Sequence, residues 1–221
     1  ALARKFDAVA SLAVIEHVEN SYEFMEWLRG QMNENGHLLL TFPDFARNPN
    51  DVFCVDHLSK IAMPQLLMMA AKAGLELVGH THVGIAMLAL FRKVEPSAAQ
   101  ASVAPEALAI ALRNEALAAE MVAAVTAAHQ AAKASGENFA IFGLGMAGLV
   151  APVLSHFARA DIAAYIDENP TMHGLKLGDV PVVDLPEIAA LGIRHVALSV
   201  SPIYREQVTA KLRPYGVIVY V

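Results

Sequence analysis

One short run of the sequence combines the residue types and the spacing that phosphate binding needs. Gly143, Gly145 and Gly148 form a G-x-G-x-x-G pattern between a strand-like and a helix-like run. In such a turn the first glycine permits a tight bend, the second lets backbone approach a phosphate, and the third lets helix and strand pack closely. Asp167 follows the next strand-like run, where a carboxylate that binds ribose hydroxyls is expected. The pattern predicts a nucleotide-binding turn; alternatively, the glycines serve only the turn and its packing.

Strands and helices alternate on both sides of a long central helix. Short apolar runs from Phe139 onward are separated by helix-sized segments, which is typical of a parallel sheet with helices on both faces. The first ninety residues also alternate, with Phe6–Ala10 as a buried strand, Ser21 as a helix N-cap, and two paired antiparallel strands around Gly84. An alanine-rich helix reaches about Ala134.

These patterns predict an α/β chain in three parts, which are a Rossmann-like partial sheet over 1–94, a linker (95–103) and long helix over 95–134, and a small Rossmann-like parallel-sheet domain over 135–221.

Composition excludes several classes of protein. The chain is 56% hydrophobic and 17% charged, which excludes disorder. Its net charge of −6, with no basic segment, argues against a nucleic-acid surface. Charges interrupt the apolar runs before the roughly 18 to 20 residues that a membrane span needs. A single cysteine, Cys54, excludes an internal disulfide and fits a reducing compartment. We therefore expect a cytoplasmic protein without membrane or nucleic-acid partners, and the oligomeric state stays open.

Three runs in the first part carry a family resemblance. They are Phe6-Asp7-Ala8-Val9, then Glu16-His17-Val18, and then Asn35-Gly36-His37-Leu38-Leu39-Leu40 ahead of Pro43. Residues 4–92 resemble the second half of class I S-adenosylmethionine-dependent methyltransferases, from the fourth strand to the antiparallel seventh. The resemblance implies S-adenosylmethionine as cofactor. It places four residues around that cofactor, namely Ser11, Leu12 and Ala13 at its adenosine edge and His17 beside the substrate cleft.

A second resemblance narrows the first. The run Val55-Asp56-His57-Leu58-Ser59 is similar to a segment of sugar C-methyltransferases, which carry an acid–histidine pair there and append an α/β domain with a glycine turn. It implies His57 as general base, Asp56 as its orienting partner, and a small-molecule substrate such as a nucleotide-activated keto-sugar. A histidine suits this task because its ordinary pKa lies near 6.5. The family's cofactor glycine loop would precede Ala1, so we expect this stretch alone to be inactive.

Other interpretations of the same residues remain open. His57 could be a loop histidine that caps the following helix, and Glu16 and His17 could support only a helix start. The nine histidines show no metal-ligand spacing, so we expect no metal site. The last part could be a nucleotide-sensing or dinucleotide-binding module beside an inactive scaffold, or the chain could be an NAD-dependent oxidoreductase or epimerase.

Overall fold

The computed structural model describes residues 4–96 and 104–221, so most of the predicted linker, 97–103, lies outside the described residues. The chain divides into two compact units, Ala1–Asn114 and Glu115–Val221. The boundary falls inside a 32-residue helix, Ala104–Ser135, which is the predicted long helix. Proline and glutamate at its start and Ser135-Gly136 at its end account for its limits.

The first unit contains one four-stranded sheet and two shorter helices. The strands are β1 (Phe6–Leu12), β2 (Met32–Pro43), β3 (Leu75–Val83) and β4 (Ala86–Lys93), and the helices are α1 (Ser21–Gly30) and α2 (Met63–Lys72). The strand order is β1-β2-β4-β3, with β1 parallel to β2 and the other pairs antiparallel. The paired strands on either side of Gly84, whose φ is +60°, are therefore confirmed.

Alternate residues of the central strands form the core of this unit. Leu38, Leu40 and Phe42 of β2 point to one face, where they meet α1 and α2 in a single apolar cluster.

Strand β1, at the edge of the sheet, differs from the prediction. Strand β1 is mostly exposed rather than buried, because within the described residues it pairs with a neighbour on one side only. Its carboxyl end nevertheless opens directly into the loop that carries Glu16 and His17.

The second unit contains a six-stranded sheet between helices. Its strands are β5 (Asn138–Phe142), β6 (Ala164–Ile166), β7 (Lys176–Leu177), β8 (Val180–Val183), β9 (Ile193–Leu198) and β10 (Ile218–Tyr220). With the long helix as α3, the others are α4 (Met146–Leu154), α5 (Glu187–Ala190) and α6 (Pro202–Leu212). The strand order is β10-β9-β5-β6-β8-β7, and every pair is parallel except β7 with β8.

Helices cover both faces of this sheet, as the alternating pattern predicts. Phe139 and Ile141 of β5 belong to the cluster that includes α3 and α4, whereas Ala140 and Phe142 belong to the cluster that includes α5 and α6. Opposite faces of a strand receive alternate side chains, so a run that is apolar at every position must be covered twice. The predicted α/β architecture of two Rossmann-like sheets joined by a long helix is confirmed.

Candidate functional site

Two loops of the first unit are joined by hydrogen bonds at the carboxyl end of β1. The backbone N–H of Ser59 donates to the carbonyl of Glu16 at 3.1 Å. The Ser21 hydroxyl donates to the carbonyl of Ile15 at 3.1 Å, and its oxygen lies within hydrogen-bond distance of the Ser59 hydroxyl, at 2.7 Å. Ser21 therefore links the loops rather than capping α1, whose N-cap is Asn20. These bonds hold the segment around residue 57 against the segment around residue 16.

The carboxylate that orients His57 comes from Asp51. His57 Nδ1 donates to Asp51 Oδ1 at 2.6 Å, and the Asp51 side chain is only 2% exposed. The Lys60 ammonium lies 3.5 Å from Asp51 Oδ2 and donates to the backbone carbonyls of Asp51 at 2.5 Å and Cys54 at 2.8 Å. A buried carboxylate needs such partners, and a donor at Nδ1 leaves the lone pair on Nε2. His57 is therefore arranged to accept a proton at Nε2.

The predicted partner, Asp56, contacts the other histidine instead. Its carbonyl accepts a hydrogen bond from His17 Nδ1 at 3.0 Å, and its exposed carboxylate lies 3.6 Å from the same nitrogen. The sequence predicted that Asp56 pairs with His57. In the structure, Asp51 pairs with His57 and Asp56 pairs with His17. The rings of His17 and His57 meet edge to face, with centroids 4.7 Å apart. The structure thus brings both predicted histidines together.

Two further groups lie beside the histidines. Glu16 is 3% exposed, and its Oε2 has no hydrogen-bond partner among the described residues. Burial and the neighbouring Asp51 carboxylate raise the pKa of the Cys54 thiol to about 11. A thiol with this pKa remains protonated at neutral pH, so Cys54 is not a nucleophile there.

The three residues predicted at an adenosine edge end strand β1. Ser11 is buried, whereas Leu12 is 59% exposed. Ala13 has a φ of +52°, and its N–H donates to the carbonyl of Thr41 at 2.9 Å. Since L side chains rarely adopt this backbone conformation, Ala13 marks a sharp turn that leaves Leu12 facing solvent.

The predicted glycine turn forms between β5 and α4 of the second unit. Gly143 has a φ of +102°, and Gly145 is the N-cap of α4. A Cβ on Gly148 would lie 2.1 Å from the Gly143 carbonyl oxygen and 2.8 Å from the Ser199 hydroxyl oxygen. Gly148 is therefore needed for the close packing of turn and helix. A Cβ on Gly145 would meet no described atom within 4 Å, which leaves open space at the helix N-terminus.

Asp167 lies against this turn. Its Oδ2 accepts a hydrogen bond from the backbone N–H of Leu144 at 2.9 Å, and its Oδ1 accepts one from Asn169 at 2.9 Å. A pocket of about 210 Å³ adjoins them, lined by Phe142, Gly143, Asp167, Glu168, Val200, Tyr204, Gln207 and Val208. The carboxylate therefore stabilises the turn through these two hydrogen bonds, and Asp167 is also part of the pocket lining.

Sequence reasoning missed two residues of the first site. Asp51 and Lys60 lie near the predicted histidine in the chain, but neither belongs to the motif that identified it, which runs from Val55 to Ser59. The available signal was an aspartate in the short turn Pro49–Phe53, next to apolar residues Val52 and Phe53, because a buried carboxylate requires a partner.

No described helix combines the length and the apolar character of a membrane span.

Comparisons with known proteins give matches among solved structures only. No model of a known protein family matches the chain, and no curated protein matches it. Among solved structures, it is similar to an O-methyltransferase family protein from Burkholderia thailandensis, with 15% identity and a TM-score of 0.34. It is also similar to the N-methyltransferase NodS from Bradyrhizobium japonicum WM9 in complex with S-adenosyl-L-homocysteine, with 16% identity and a TM-score of 0.33. Each match covers 43% of this chain, but only 32% of the first protein and 50% of the second.

Proposed function

We propose that the first unit is part of an S-adenosylmethionine-dependent methyltransferase that acts on a small molecule, with His57 as general base. The observation that carries the proposal is the 2.6 Å hydrogen bond from His57 Nδ1 to the buried Asp51 carboxylate. This bond holds the imidazole with its Nε2 lone pair available. It also stabilises the imidazolium that forms when Nε2 takes a proton.

The substrate we propose is a nucleotide-activated keto-sugar that is methylated at carbon. Carbon next to a carbonyl becomes a nucleophile when a base removes its proton, and this is the step assigned to His57 Nε2. Asp51 compensates the charge that develops on the ring, and the Lys60 ammonium lies 3.5 Å from the other oxygen of Asp51. His17, fastened to the Asp56 carbonyl, would line the same cleft.

The cofactor would supply an electrophilic methyl group when bound. The exposed Leu12 side chain, next to the sharp turn at Ala13, suits an apolar ring such as adenine, and Ser11 would add backbone contacts. These residues fit one edge of the cofactor.

We propose that the chain has three parts, residues 1–94, 95–134 and 135–221. The last part would bind the nucleotide. The pocket beside Gly143 and Asp167, next to the open N-terminus of α4, favours binding of the nucleotide part of the substrate. The single cysteine favours a cytoplasmic location. The rival proposal assigns the same turn to NAD, in a dinucleotide-binding module or an oxidoreductase or epimerase.

Binding measurements on the full-length protein that contains this chain test these proposals. Calorimetric titration with S-adenosylhomocysteine, NAD and a nucleotide-activated keto-sugar should show binding of the first and third. Binding of NAD alone would reverse the order of the two proposals.

Deuterium exchange tests His57 without methyl transfer. In D₂O, the wild-type protein should exchange the hydrogen next to the sugar carbonyl, whereas His57→Ala should abolish exchange and leave S-adenosylhomocysteine affinity unchanged. The exposed His37 gives a matched control, because His37→Ala removes an imidazole far from the cluster in sequence. Exchange that survives in His57→Ala would remove His57 from the reaction.

A further inference from the structure

We propose that Glu16, His17 and His57 form a binding site for a divalent transition-metal ion. Each offers one ligand atom, and the three atoms lie within 4.8 Å of one another. Two imidazoles and one carboxylate are ligands that Zn²⁺ and Co²⁺ accept, with coordination positions left for water or substrate. The inference rests on the geometry of these side chains and holds whether or not the chain transfers methyl groups.

The orphaned carboxylate oxygen is the first observation that points to a cation. Glu16 is 3% exposed, and Oε2 lacks a hydrogen-bond partner among the described residues. A buried carboxylate oxygen without a partner costs free energy, because it has lost its water and gained nothing in return. A bound cation beside the two histidines removes this cost.

The second observation is the way both imidazoles are held. His17 Nδ1 donates to the Asp56 carbonyl at 3.0 Å, and His57 Nδ1 donates to the Asp51 carboxylate at 2.6 Å. Metal-binding histidines characteristically donate one ring N–H to a carbonyl or carboxylate, which orients the ring and fixes the tautomer. Both rings therefore have Nε2 as the nitrogen with a lone pair for a metal.

The distances are close to those of an occupied site. Zn–N and Zn–O bonds of about 2.0 to 2.1 Å place tetrahedral ligand atoms about 3.4 Å apart. Ligand atoms within 4.8 Å of one another need to approach by about 1.4 Å at most. Side-chain rotation supplies this movement, and the hydrogen bond from Ser59 to the Glu16 carbonyl keeps the loops in place.

A second donor set shares His57 but is less suited. Asp51, Cys54 and His57 also bring ligand atoms within 4.8 Å of one another. In that set, however, one Asp51 oxygen accepts from His57 and the other lies 3.5 Å from the Lys60 ammonium. An ammonium beside the carboxylate repels a metal cation. Asp51 therefore acts as the outer partner of His57 rather than as a ligand.

Metal binding and proton acceptance compete at one nitrogen. Nε2 of His57 can hold a metal ion or a proton, but not both. Saturating Zn²⁺ is accordingly expected to inhibit a reaction that uses His57 as base.

Calorimetric titration of the untagged chain with ZnCl₂ tests the site. The wild-type protein should bind one ion, and Glu16→Gln and His17→Gln should each weaken binding at least tenfold. His37→Gln and Cys54→Ser should leave it unchanged, as matched losses of a surface histidine and of the alternative ligand. Absence of binding by the wild-type chain, equal affinity in all variants, or loss in Cys54→Ser would overturn the assignment.

The absorption spectrum of bound Co²⁺ gives a readout that needs no variant to fold. Nitrogen and oxygen ligands should give visible d–d bands alone. A sulfur-to-cobalt charge-transfer band would place the ion on Cys54 and refute the proposed ligands. Circular dichroism of Glu16→Gln and His17→Gln checks that weaker binding does not come from unfolding.

Discussion

The glycine turn of the second unit offers a prediction that needs no knowledge of the substrate. A Cβ at position 148 would lie 2.1 Å from the Gly143 carbonyl oxygen, more than 1 Å inside an ordinary contact. In Gly148→Ala, turn and helix must therefore move apart by about 1 Å. Overpacking of this kind costs about 1 to 3 kcal/mol. For a unit of this size, about 2 kcal/mol corresponds to a midpoint shift of roughly 8 to 16 °C.

Gly145→Ala is the matched control in the same turn. No described atom lies within 4 Å of its added Cβ, and its φ of −79° suits alanine. The weaker N-cap and the smaller chain entropy of the unfolded state are each worth about 0.5 to 1 kcal/mol and oppose one another. The control should therefore melt close to the wild-type protein.

Circular dichroism gives the midpoints of both variants, and hydrogen–deuterium exchange locates the change. Gly148→Ala should expose the amides of β5 and α4 first, because these elements meet at the turn. A wild-type midpoint in Gly148→Ala, or an equal loss in Gly145→Ala, would refute the packing argument.

Three further predictions follow from the contacts of charged and titratable groups. Asp51→Asn should lower the free energy of unfolding of the first unit by about 1.5 to 3 kcal/mol, since it removes a charge-assisted hydrogen bond. Urea unfolding followed by Trp27 fluorescence measures this free energy. An unchanged urea midpoint would contradict the prediction. The pKa of the Cys54 thiol is raised to about 11, so this thiol should resist iodoacetamide at pH 8 and react only as the pH approaches 11. Mass spectrometry measures the labelling. Rapid labelling at pH 8 would contradict the prediction and show that the thiol is solvated. The hydrogen bond from His195 lowers the pKa of Glu137 in the folded protein below the value of 4.5 in the unfolded chain. The ionised Glu137 should therefore stabilise the fold above pH 4.5, and this stabilisation should be lost as the pH falls through the pKa of the folded state. The urea midpoints of Glu137→Gln and wild type should differ at pH 7 and converge at low pH.

Local patterns were sufficient for most of the secondary structure. The glycine turn, the two antiparallel strands around Gly84 and the long helix were each predicted from the sequence and are present. In each case the cause lies within a few neighbouring residues, such as a glycine with positive φ or the period of apolar side chains. Ser21 was misassigned as an N-cap because Asn20, one residue earlier, has a side chain of equal capping ability.

The partner of His57 could not be predicted in this way. Asp56 adjoins His57 in sequence, but it lies in a turn, where the side chains of neighbouring residues need not meet. Asp51, at the start of the same loop, comes within hydrogen-bond distance only because the chain turns between the two residues. In a loop, residues that are adjacent in sequence need not have side chains in contact.

The proposed metal-ligand cluster was even less predictable from the sequence. The sequence contains no ligand spacing typical of a metal site, because helix α1, strand β2 and the short turn Pro49–Phe53 separate Glu16 and His17 from His57. The convergence depends on the Ser59 and Ser21 hydrogen bonds that join the two loops.

The sequence by itself determined the α/β class, the long helix and the glycine turn, because backbone geometry and apolar periodicity act over short stretches of chain. Only the tertiary structure decided which carboxylate orients His57, that Glu16 is buried beside it, and that the rings of His17 and His57 meet edge to face. Those relations depend on loops that are held together from distant parts of the chain, and their energies come from burial and hydrogen bonding rather than from local propensity.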